Sequence, residues 1–389
     1  MSEQKFHTDA IDRLTVEGAF TVLAKARELE KAGHPMIHLE IGEPDFKTPE
    51  NIVNAAIASL HAGETHYVPA VGLMELRETV ASYITKTRGV QTSVEEVMIA
   101  PGVKPLIFFA ILSLIEAGDE VIIPVPAYPT YGSVVKFVNG VPVPIILHEE
   151  DDFRFDVKQL EKAITPKTKM IVLNSPQNPT GGVLTKDDLE RVAFLSKKHN
   201  LYVLSDEIYS RIMYDEPFVS YYSDPGVKER TILVDGFSKS FAMTGWRLGF
   251  GVMPKPLVAA MTKLTNNSTA CTCAFVQRAG IEALTGPQEP VEKMVAEFKK
   301  RRDVIVEKLN EVPGFKCRKP KGAFYAFPNI QGTKMKSRDL AVMLLEKIGV
   351  AVLSGTAFGE AGEGYLRFSY ANSISNIERG IQKIKEALS

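Results

Sequence analysis

The chain has 389 residues, of which 45% are hydrophobic and 24% are charged, and its formal net charge at pH 7 is −1. A chain of this length is expected to form two or three domains. The balanced charge offers no basic field for a nucleic acid and no polybasic anchor for a membrane, so neither partner is predicted.

The cysteine content and the N-terminus indicate the compartment. Three cysteines are present, Cys271, Cys273 and Cys317, and their odd number argues against a disulfide framework. The spacing of the first two is too short for a zinc pair, so no metal site is predicted. The N-terminus lacks the apolar core of a signal peptide, and the apolar stretch 105–115 is too short to span a bilayer. These features predict a cytoplasmic protein.

The elements alternate between short apolar segments and longer amphipathic ones. A helix over 19–31 comes first and is expected to pack on the C-terminal part of the chain. Between the later predicted strands lie helices such as 104–116 and 186–199. This alternation predicts an α/β fold with a mainly parallel central sheet and helices on both faces. The predicted strands are 97–100, 120–124, 170–174, 201–205, 231–235 and 248–252.

The pattern changes at Gly286-Pro287. Beyond it, one long amphipathic helix is followed by mixed short strands and helices, which predicts a smaller α+β domain. The chain is therefore divided into an N-terminal arm and helix (1–45), a large domain (46–286) and a small domain (287–389). The elements predicted after the break are helices 290–309 and 337–348, strands 350–354 and 365–370, and a final helix from 375.

Lys239 is the first candidate for chemistry. It comes shortly after the predicted strand 231–235 and is surrounded in sequence by Phe241, Met243 and Trp246. An apolar environment lowers the pKa of a lysine amine and leaves the nitrogen neutral and nucleophilic. Such an amine can form a Schiff base with an aldehyde. The alternative is a buried lysine in a salt bridge.

Polar residues also follow two neighbouring predicted strands. Asn178 comes after strand 170–174, and Asp206 and Tyr209 come after strand 201–205. In an open parallel sheet, ligands bind beyond the carboxyl ends of the strands, so these side chains are expected to meet Lys239 at one edge. The alternatives are a helix N-cap for Asp206 and a simple turn for Asn178.

An anion site is predicted where strand 97–100 leads into a helix. Gly102 allows a close approach of the backbone, and the amides of Val103 and Lys104 can point at an anion from the helix start. Arg247 adds a permanent charge suited to a phosphate. Tyr128, after strand 120–124, is able to stack on an aromatic ring, and a half-buried turn residue is the alternative.

The segment 236–249, Gly-Phe-Ser-Lys-Ser-Phe-Ala-Met-Thr-Gly-Trp-Arg-Leu-Gly, resembles the pyridoxal-phosphate lysine signature of class I aminotransferases of fold type I. The resemblance extends from Ile41 to Tyr370. It includes Ile41-Gly-Glu-Pro-Asp-Phe46, Thr65-His-Tyr67 and Gly364-Tyr-Leu-Arg367-Phe-Ser. Within the family, the chain is similar to the prokaryotic subgroup that contains aspartate and aromatic aminotransferases.

The resemblance implies that Lys239 carries pyridoxal 5'-phosphate as an internal aldimine. It assigns Asp206 to the pyridine nitrogen, which must stay protonated, and Asn178 and Tyr209 to the phenolic oxygen. One departure is Gly236, where many members have serine, so phosphate binding is expected to rely more on Ser238. The implied phosphate ligands are Gly102, Val103, Lys104, Ser238 and Arg247.

The resemblance also implies the partners. Tyr67 is expected to reach the phosphate of a second subunit, which predicts a homodimer with a composite active site. The Gly42 backbone, Asn178 and Arg367 are assigned to the substrate α-carboxylate, although the alternating sequence around Arg367 could instead place it on an exposed strand face. The implied reaction is ping-pong transamination between an L-amino acid and a 2-oxo acid, with 2-oxoglutarate the expected acceptor.

The amino donor and the exact reaction remain open in the sequence. Segments 15–20 and 106–112 are largely apolar and supply no second arginine, so a neutral or aromatic donor is favoured over aspartate. An aspartate site without such an arginine is the alternative. A C–S lyase or other elimination could use the same fold, and a non-catalytic regulatory relative is a further alternative that the intact Lys239 disfavours.

Overall fold

The computed structural model describes residues 6–154 and 156–389. Its strands are β1 (Ile37–His38), β2 (Val97–Ala100), β3 (Glu120–Val125), β4 (Val141–Ile146), β5 (Thr168–Asn174), β6 (Tyr202–Asp206), β7 (Thr231–Gly236), β8 (Gly249–Val252), β9 (Tyr325–Ala326), β10 (Val350–Ala351), β11 (Leu353–Ser354) and β12 (Leu366–Ser369). Its α-helices are α1 (Asp9–Asp12), α2 (Gly18–Lys31), α3 (Glu50–His61), α4 (Met74–Arg88), α5 (Val103–Leu114), α6 (Thr130–Phe137), α7 (Val157–Ala163), α8 (Lys186–His199), α9 (Lys255–Asn266), α10 (Ala274–Thr285), α11 (Glu289–Asn310), α12 (Ser337–Met343) and α13 (Ile374–Leu388).

Strands β2 to β8 form a seven-stranded sheet in the order β2-β8-β7-β6-β5-β3-β4. Neighbours are parallel except for β8, which runs antiparallel to both β2 and β7. The mainly parallel sheet predicted from the sequence is therefore confirmed. Each predicted strand of this sheet begins and ends within two residues of the observed one.

Helices cover both faces of the sheet because successive side chains of a buried strand point to opposite sides. In β5, Met170 and Val172 belong to the same buried cluster as Ile107 of α5. Ile171, between them, belongs to a second cluster with Val192 of α8. The continuous apolar run of β5 thus contributes side chains to the hydrophobic layers on both faces of the sheet.

Strand β4 was not predicted from the sequence. It reads Val141-Pro-Val-Pro-Ile-Ile146, and proline cannot donate to a strand ladder. The structure tolerates both prolines because β4 is the edge strand, paired only with β3. Position in the sheet, which depends on tertiary packing, thereby overrides the local signal of Pro142 and Pro144 against a strand.

The C-terminal elements form two small sheets. Strands β9, β11 and β12 are antiparallel in the order β11-β12-β9, and β10 pairs in parallel with β1. The single strand predicted over 350–354 was therefore wrong, because β10 and β11 have different partners. The helix predicted over 337–348 is α-helical only to Met343 and continues as a π-helical turn over Leu344–Ile348.

Helix α2 packs against these C-terminal elements. Its buried Ala26 shares a hydrophobic cluster with Leu345 and Ala351. The division of the chain at residues 45 and 286 stays a prediction. Among the described residues, no helix is both long enough and apolar enough to cross a membrane.

Candidate active site

A cavity of about 490 Å³ lies where β5, β6 and β7 end. Asn174, Asp206 and Ser238 line it from those three strand ends, as the parallel topology requires. The structure thus brings most of the sequence-predicted residues together. Those that line the cavity are Gly42, Val103, Lys104, Tyr128, Asn178, Asp206, Tyr209, Ser238, Lys239, Arg247 and Arg367.

The amine of Lys239 lies in this cavity. Its Nζ donates a hydrogen bond of 2.5 Å to the carbonyl oxygen of Gly42. This partner is a neutral backbone group and not the carboxylate that the alternative interpretation, a buried salt bridge, requires. Burial lowers the pKa of Lys239 from 10.5 to about 8, while the negative charges of Glu43 and Glu17 oppose that shift. A substantial fraction of the amine is therefore neutral close to physiological pH, the form that attacks a carbonyl carbon.

Asp206 is buried at the end of β6, with 4% of its surface exposed. Its Oδ2 accepts a hydrogen bond of 2.7 Å from the hydroxyl of Tyr131, and its Oδ1 accepts one of 3.2 Å from the backbone N–H of Ile208. Burial raises the pKa of Asp206 to about 6, although both hydrogen bonds favour the charged form. The residues after Asp206 form a turn and not a helix, so the helix N-cap interpretation was wrong.

A buried charged network lies next to Asp206. The carboxylate of the adjacent Glu207 accepts from Arg88 Nε at 2.9 Å, and Asp235 on β7 accepts from Arg88 Nη2 at 3.3 Å. Ser210 donates to the same oxygen of Asp235 at 2.9 Å. Arg88 therefore compensates two buried carboxylates, which would be costly if left unpaired. This network fixes the strand ends that carry Asp206 and precede Lys239.

Tyr209 is paired with a residue that the sequence analysis did not select. The hydroxyls of Tyr209 and Tyr325 lie 2.8 Å apart, and their rings meet edge to face at 5.7 Å. Tyr325 also packs on Gly42, where any Cβ would collide with its hydroxyl. The only signal for Tyr325 was its place in the aromatic stretch 322–328, which by itself indicates core packing.

Arg367 is buried, with 3% of its surface exposed, so the interpretation as an exposed strand residue was wrong. Its Nη1 donates to Asn178 Oδ1 at 2.9 Å, and its Nη2 donates to the backbone carbonyl of Glu40. The guanidinium carbon stacks 4.4 Å from the ring centroid of Tyr325. Arg367 Nε is buried and has no hydrogen-bond partner among residues 6–154 and 156–389. An unpaired buried donor of this kind is expected to be satisfied by a bound ligand.

The residues of the predicted anion site lie together at the N-terminus of α5. Gly102 precedes the helix with φ +98°, a conformation that favours glycine, and a Cβ there would collide with the guanidinium of Arg247. Arg247 is held by its Nη1 donating to Thr244 O at 2.8 Å and its Nη2 donating to Pro101 O at 3.3 Å. The free N–H groups of the first turn and this guanidinium therefore converge, an arrangement suited to phosphate.

The glycine at position 236 has a packing reason. A Cβ on Gly236 would lie 3.0 Å from Gly249 Cα and 3.1 Å from Val103 Cγ2, both tighter than ordinary contacts. A serine at this position would therefore require the β7–β8 pair or the start of α5 to shift. Ser238, which is buried and lines the cavity, remains available as the hydroxyl donor of this segment.

Glu17 is a further cavity residue to which the sequence analysis assigned no role. Its Oε2 accepts from Lys104 Nζ at 2.8 Å and from the Tyr128 hydroxyl at 3.1 Å. The Lys104 ammonium also lies 5.5 Å from the ring centroid of Tyr128. The side chains of two predicted cofactor residues therefore meet a carboxylate from the N-terminal segment.

Tyr67 is the one predicted residue that lies away from these contacts. It is 89% exposed and is not among the residues that line the cavity of its own chain. Single exposed aromatic residues are common on protein surfaces, so this exposure is compatible with a contact to another subunit and does not by itself indicate one. Its role across a dimer stays a prediction.

Comparison with known proteins gives a consistent result. The model of the family described as aminotransferase class I and II matches residues 34–384. The chain is 45% identical to a Pyrococcus horikoshii protein named aspartate aminotransferase, over 94% of each chain. It is 40% identical to aromatic-amino-acid aminotransferase 2 of Thermococcus litoralis, over 94% of this chain and 95% of the other. A solved structure of Thermus thermophilus aspartate aminotransferase with maleate has a TM-score of 0.94 at 36% identity, covering 98% of this chain and all of that one.

Proposed function

The chain belongs to the class I and II aminotransferases, whose members use pyridoxal 5'-phosphate, and we propose that it transfers an amino group from an L-amino acid to 2-oxoglutarate in a ping-pong reaction at Lys239. The observation that carries this proposal is the amine of Lys239, held at the Gly42 carbonyl with a lowered pKa, in one cavity with the buried carboxylate of Asp206. The cofactor, when bound, supplies an aldehyde for the lysine and a protonated pyridine ring that withdraws electrons from the reacting carbon.

The residues of the cavity fit this cofactor. Asp206 is an acid whose pKa burial has raised to about 6, and a protonated ring nitrogen would stabilise its charged form. At the other end, the first turn of α5, Ser238 and Arg247 form the anion cradle. We assign Tyr209 and the Nδ2 amide of Asn178 to the phenolic oxygen and the ring of Tyr128 to stacking. The Oδ1 of Asn178 is already engaged by Arg367, which leaves that amide free to donate into the cavity.

Arg367 is the proposed ligand of the substrate α-carboxylate. Its unpartnered Nε and its fixed position on Asn178 and the Glu40 carbonyl support this role. A planar guanidinium binds a carboxylate through parallel hydrogen bonds, and stacking on Tyr325 holds that plane in place. The backbone of Gly42, whose carbonyl accepts a hydrogen bond from Lys239, is the second proposed contact of the substrate α-carboxylate.

Lys239 is also the proposed proton carrier. Its Nζ has a pKa lowered to about 8, so the neutral amine can accept the α-proton of the donor and return it to the product carbon. The groups proposed to bind the donor carboxylate lie beside it, since Nζ already contacts Gly42. We further propose that the enzyme acts as a homodimer in the cytoplasm.

A panel of amino donors tests the proposed reaction. The cavity wall contains Ala19, Phe20, Ile41 and Ile107, so we expect neutral or aromatic donors to have a higher kcat/KM than aspartate. The measurement is kcat/KM with 2-oxoglutarate for alanine, leucine, phenylalanine, tyrosine, aspartate and glutamate. If aspartate exceeds the neutral and aromatic donors by more than about tenfold, ~1.4 kcal/mol, the predicted preference is wrong. Pyruvate and ammonia formed without any 2-oxo acid acceptor would identify an elimination instead.

Subunit complementation tests the composite site. We expect Tyr67→Ala and Lys239→Ala each to be strongly impaired, and an exchanged mixture of the two to regain activity. One site of such a heterodimer carries both changes and the other carries neither, provided that Tyr67 serves the neighbouring subunit. A mixture of Lys239→Ala and Asp206→Ala is the control, because both residues line the same cavity and no intact site forms. Failure to regain activity after verified subunit exchange would count against the shared site.

A further inference from the structure

We propose that Glu17 is a specificity-determining residue, which engages Lys104 in an ion pair at the active-site cavity and thereby disfavours substrates with a second carboxylate. This inference rests on the proposed function and extends it to the side chain of the donor. It follows from two hydrogen bonds to one carboxylate, from the backbone that holds this carboxylate in place, and from the charges that surround it.

The geometry places Glu17 between two other parts of the chain. One oxygen, Oε2, accepts from Lys104 Nζ at 2.8 Å and from Tyr128 hydroxyl at 3.1 Å. Lys104 belongs to the first turn of α5, Tyr128 follows β3, and Glu17 directly precedes α2. All three side chains line the cavity. Glu17 therefore joins three parts of the chain in the wall of the cavity.

The segment that carries Glu17 is anchored to α6. The backbone N–H of Thr15 donates to Ser133 Oγ at 2.8 Å, and Arg13 Nη2 donates to the carbonyl of Phe137 at 3.0 Å. On the other side, α2 begins at Gly18 and is packed through Ala26. The carboxylate is thus held over Lys104 by fixed backbone on both sides.

The ion pair of Glu17 disfavours a second substrate carboxylate. Glu17 and Glu43 line the cavity together with Lys239 and act on it through their negative charge, against the positive charges of Arg367 and Arg247. The ammonium of Lys104 is already engaged by Glu17. An acidic side chain would therefore have to displace Glu17 from Lys104 or remain beside it unpaired, and either option costs binding free energy.

An uncharged side chain does not meet this obstacle. It can pack on Ala19, Phe20, Ile41 and Ile107 while the pair of Glu17 and Lys104 stays intact. The acceptor 2-oxoglutarate, in contrast, has a second carboxylate. It must break the ion pair between Glu17 and Lys104 before that carboxylate can bind Lys104. The inference therefore predicts that Glu17 limits acidic donors and acidic acceptors alike, and has little effect on neutral ones.

The test is the variant Glu17→Gln in the holoenzyme, which keeps the shape of the side chain and removes its charge. We expect the ratio of kcat/KM for aspartate to that for phenylalanine to rise at least tenfold, and the KM for 2-oxoglutarate to fall. Dissociation constants for two unreactive acids, succinate and 3-phenylpropanoate, provide a readout that needs no turnover. Succinate should bind at least tenfold more tightly to the variant, and 3-phenylpropanoate should be unaffected within threefold.

Two controls isolate the cause. The double variant Glu17→Gln/Lys104→Met should lose the gain, because the released cation is absent. Glu28→Gln removes the same charge from an exposed position on α2, where Glu28 pairs with Lys25, and should leave the ratio unchanged. Folding of every variant is verified by its melting temperature and circular dichroism, and Glu17→Ala provides a second replacement if the glutamine variant is unstable.

The outcomes separate this inference from the proposed function. If succinate binding and the aspartate-to-phenylalanine ratio do not change in Glu17→Gln, or if the gain persists without Lys104, the role of Glu17 is refuted while transamination by the wild-type protein stands. If the wild-type protein transaminates none of the donors, the proposed function is wrong. The dissociation constants of succinate then still decide whether Glu17 weakens the binding of a second carboxylate.

Discussion

Replacing Lys239 with alanine should abolish transamination and remove the absorbance of lysine-linked cofactor, which should colour the wild-type protein yellow. The side chain that is lost is the one amine of the cavity with a pKa lowered to about 8, and it is proposed both to bond the cofactor and to move the substrate proton. Activity is measured with 2-oxoglutarate and the best donor of the panel, and the cofactor linkage is measured by its visible spectrum.

The same variant should remain folded. Within the described part of the chain, the Lys239 side chain makes one hydrogen bond, to the Gly42 carbonyl, and a typical hydrogen bond contributes about 0.5–1.5 kcal/mol to stability. Lys25→Ala is the matched control and should retain wild-type turnover, because Lys25 lies on the surface of α2 and pairs with Glu28 in an exposed ion pair. Near wild-type turnover in Lys239→Ala itself would contradict the assignment of Lys239 as the catalytic residue.

Replacing Asp206 with alanine should lower kcat by at least about a hundredfold, ~2.7 kcal/mol in the activation barrier. The variant removes the only carboxylate proposed to keep the pyridine nitrogen protonated, so the cofactor would withdraw electrons less strongly. Because Asp206 also accepts from the backbone N–H of Ile208, some loss of melting temperature is expected as well. The measurement is kcat at saturating donor and acceptor, alongside thermal unfolding.

Tyr131→Phe distinguishes the proposed role of the Asp206 charge in catalysis from the role of its hydrogen bonds in stability. It removes the 2.7 Å hydrogen bond to Oδ2 and leaves the carboxylate in place, so we expect a much smaller loss of kcat. If Asp206→Ala lowers only the melting temperature and leaves kcat intact, Asp206 merely stabilises the turn. Equal losses of kcat in the two variants would instead assign the effect to the hydrogen bond.

The order of elements and the chemistry of single residues could be predicted from the sequence because both depend on local pattern. Strand β5 is an uninterrupted apolar run, which is typical of a parallel strand buried on two faces. Once parallel strands are predicted, their ends must meet at one edge, which places Asn178, Asp206 and Lys239 near each other without knowledge of any contact. The lysine signature and the chain-long resemblance then indicated the family, which the comparisons confirm.

The partners of these residues were decided only by the tertiary structure. Tyr131 is separated from Asp206 by 75 positions, Tyr325 from Tyr209 by 116, and Lys104 from Glu17 by 87. Such contacts depend on how helices and loops pack over the strand ends, and residue spacing contains no signal for that packing. The same reason explains strand β4, whose prolines are acceptable only at the edge of the sheet. The sequence by itself therefore determined the fold class and the candidate reacting groups, whereas tertiary packing decided the charge environment in which those groups act.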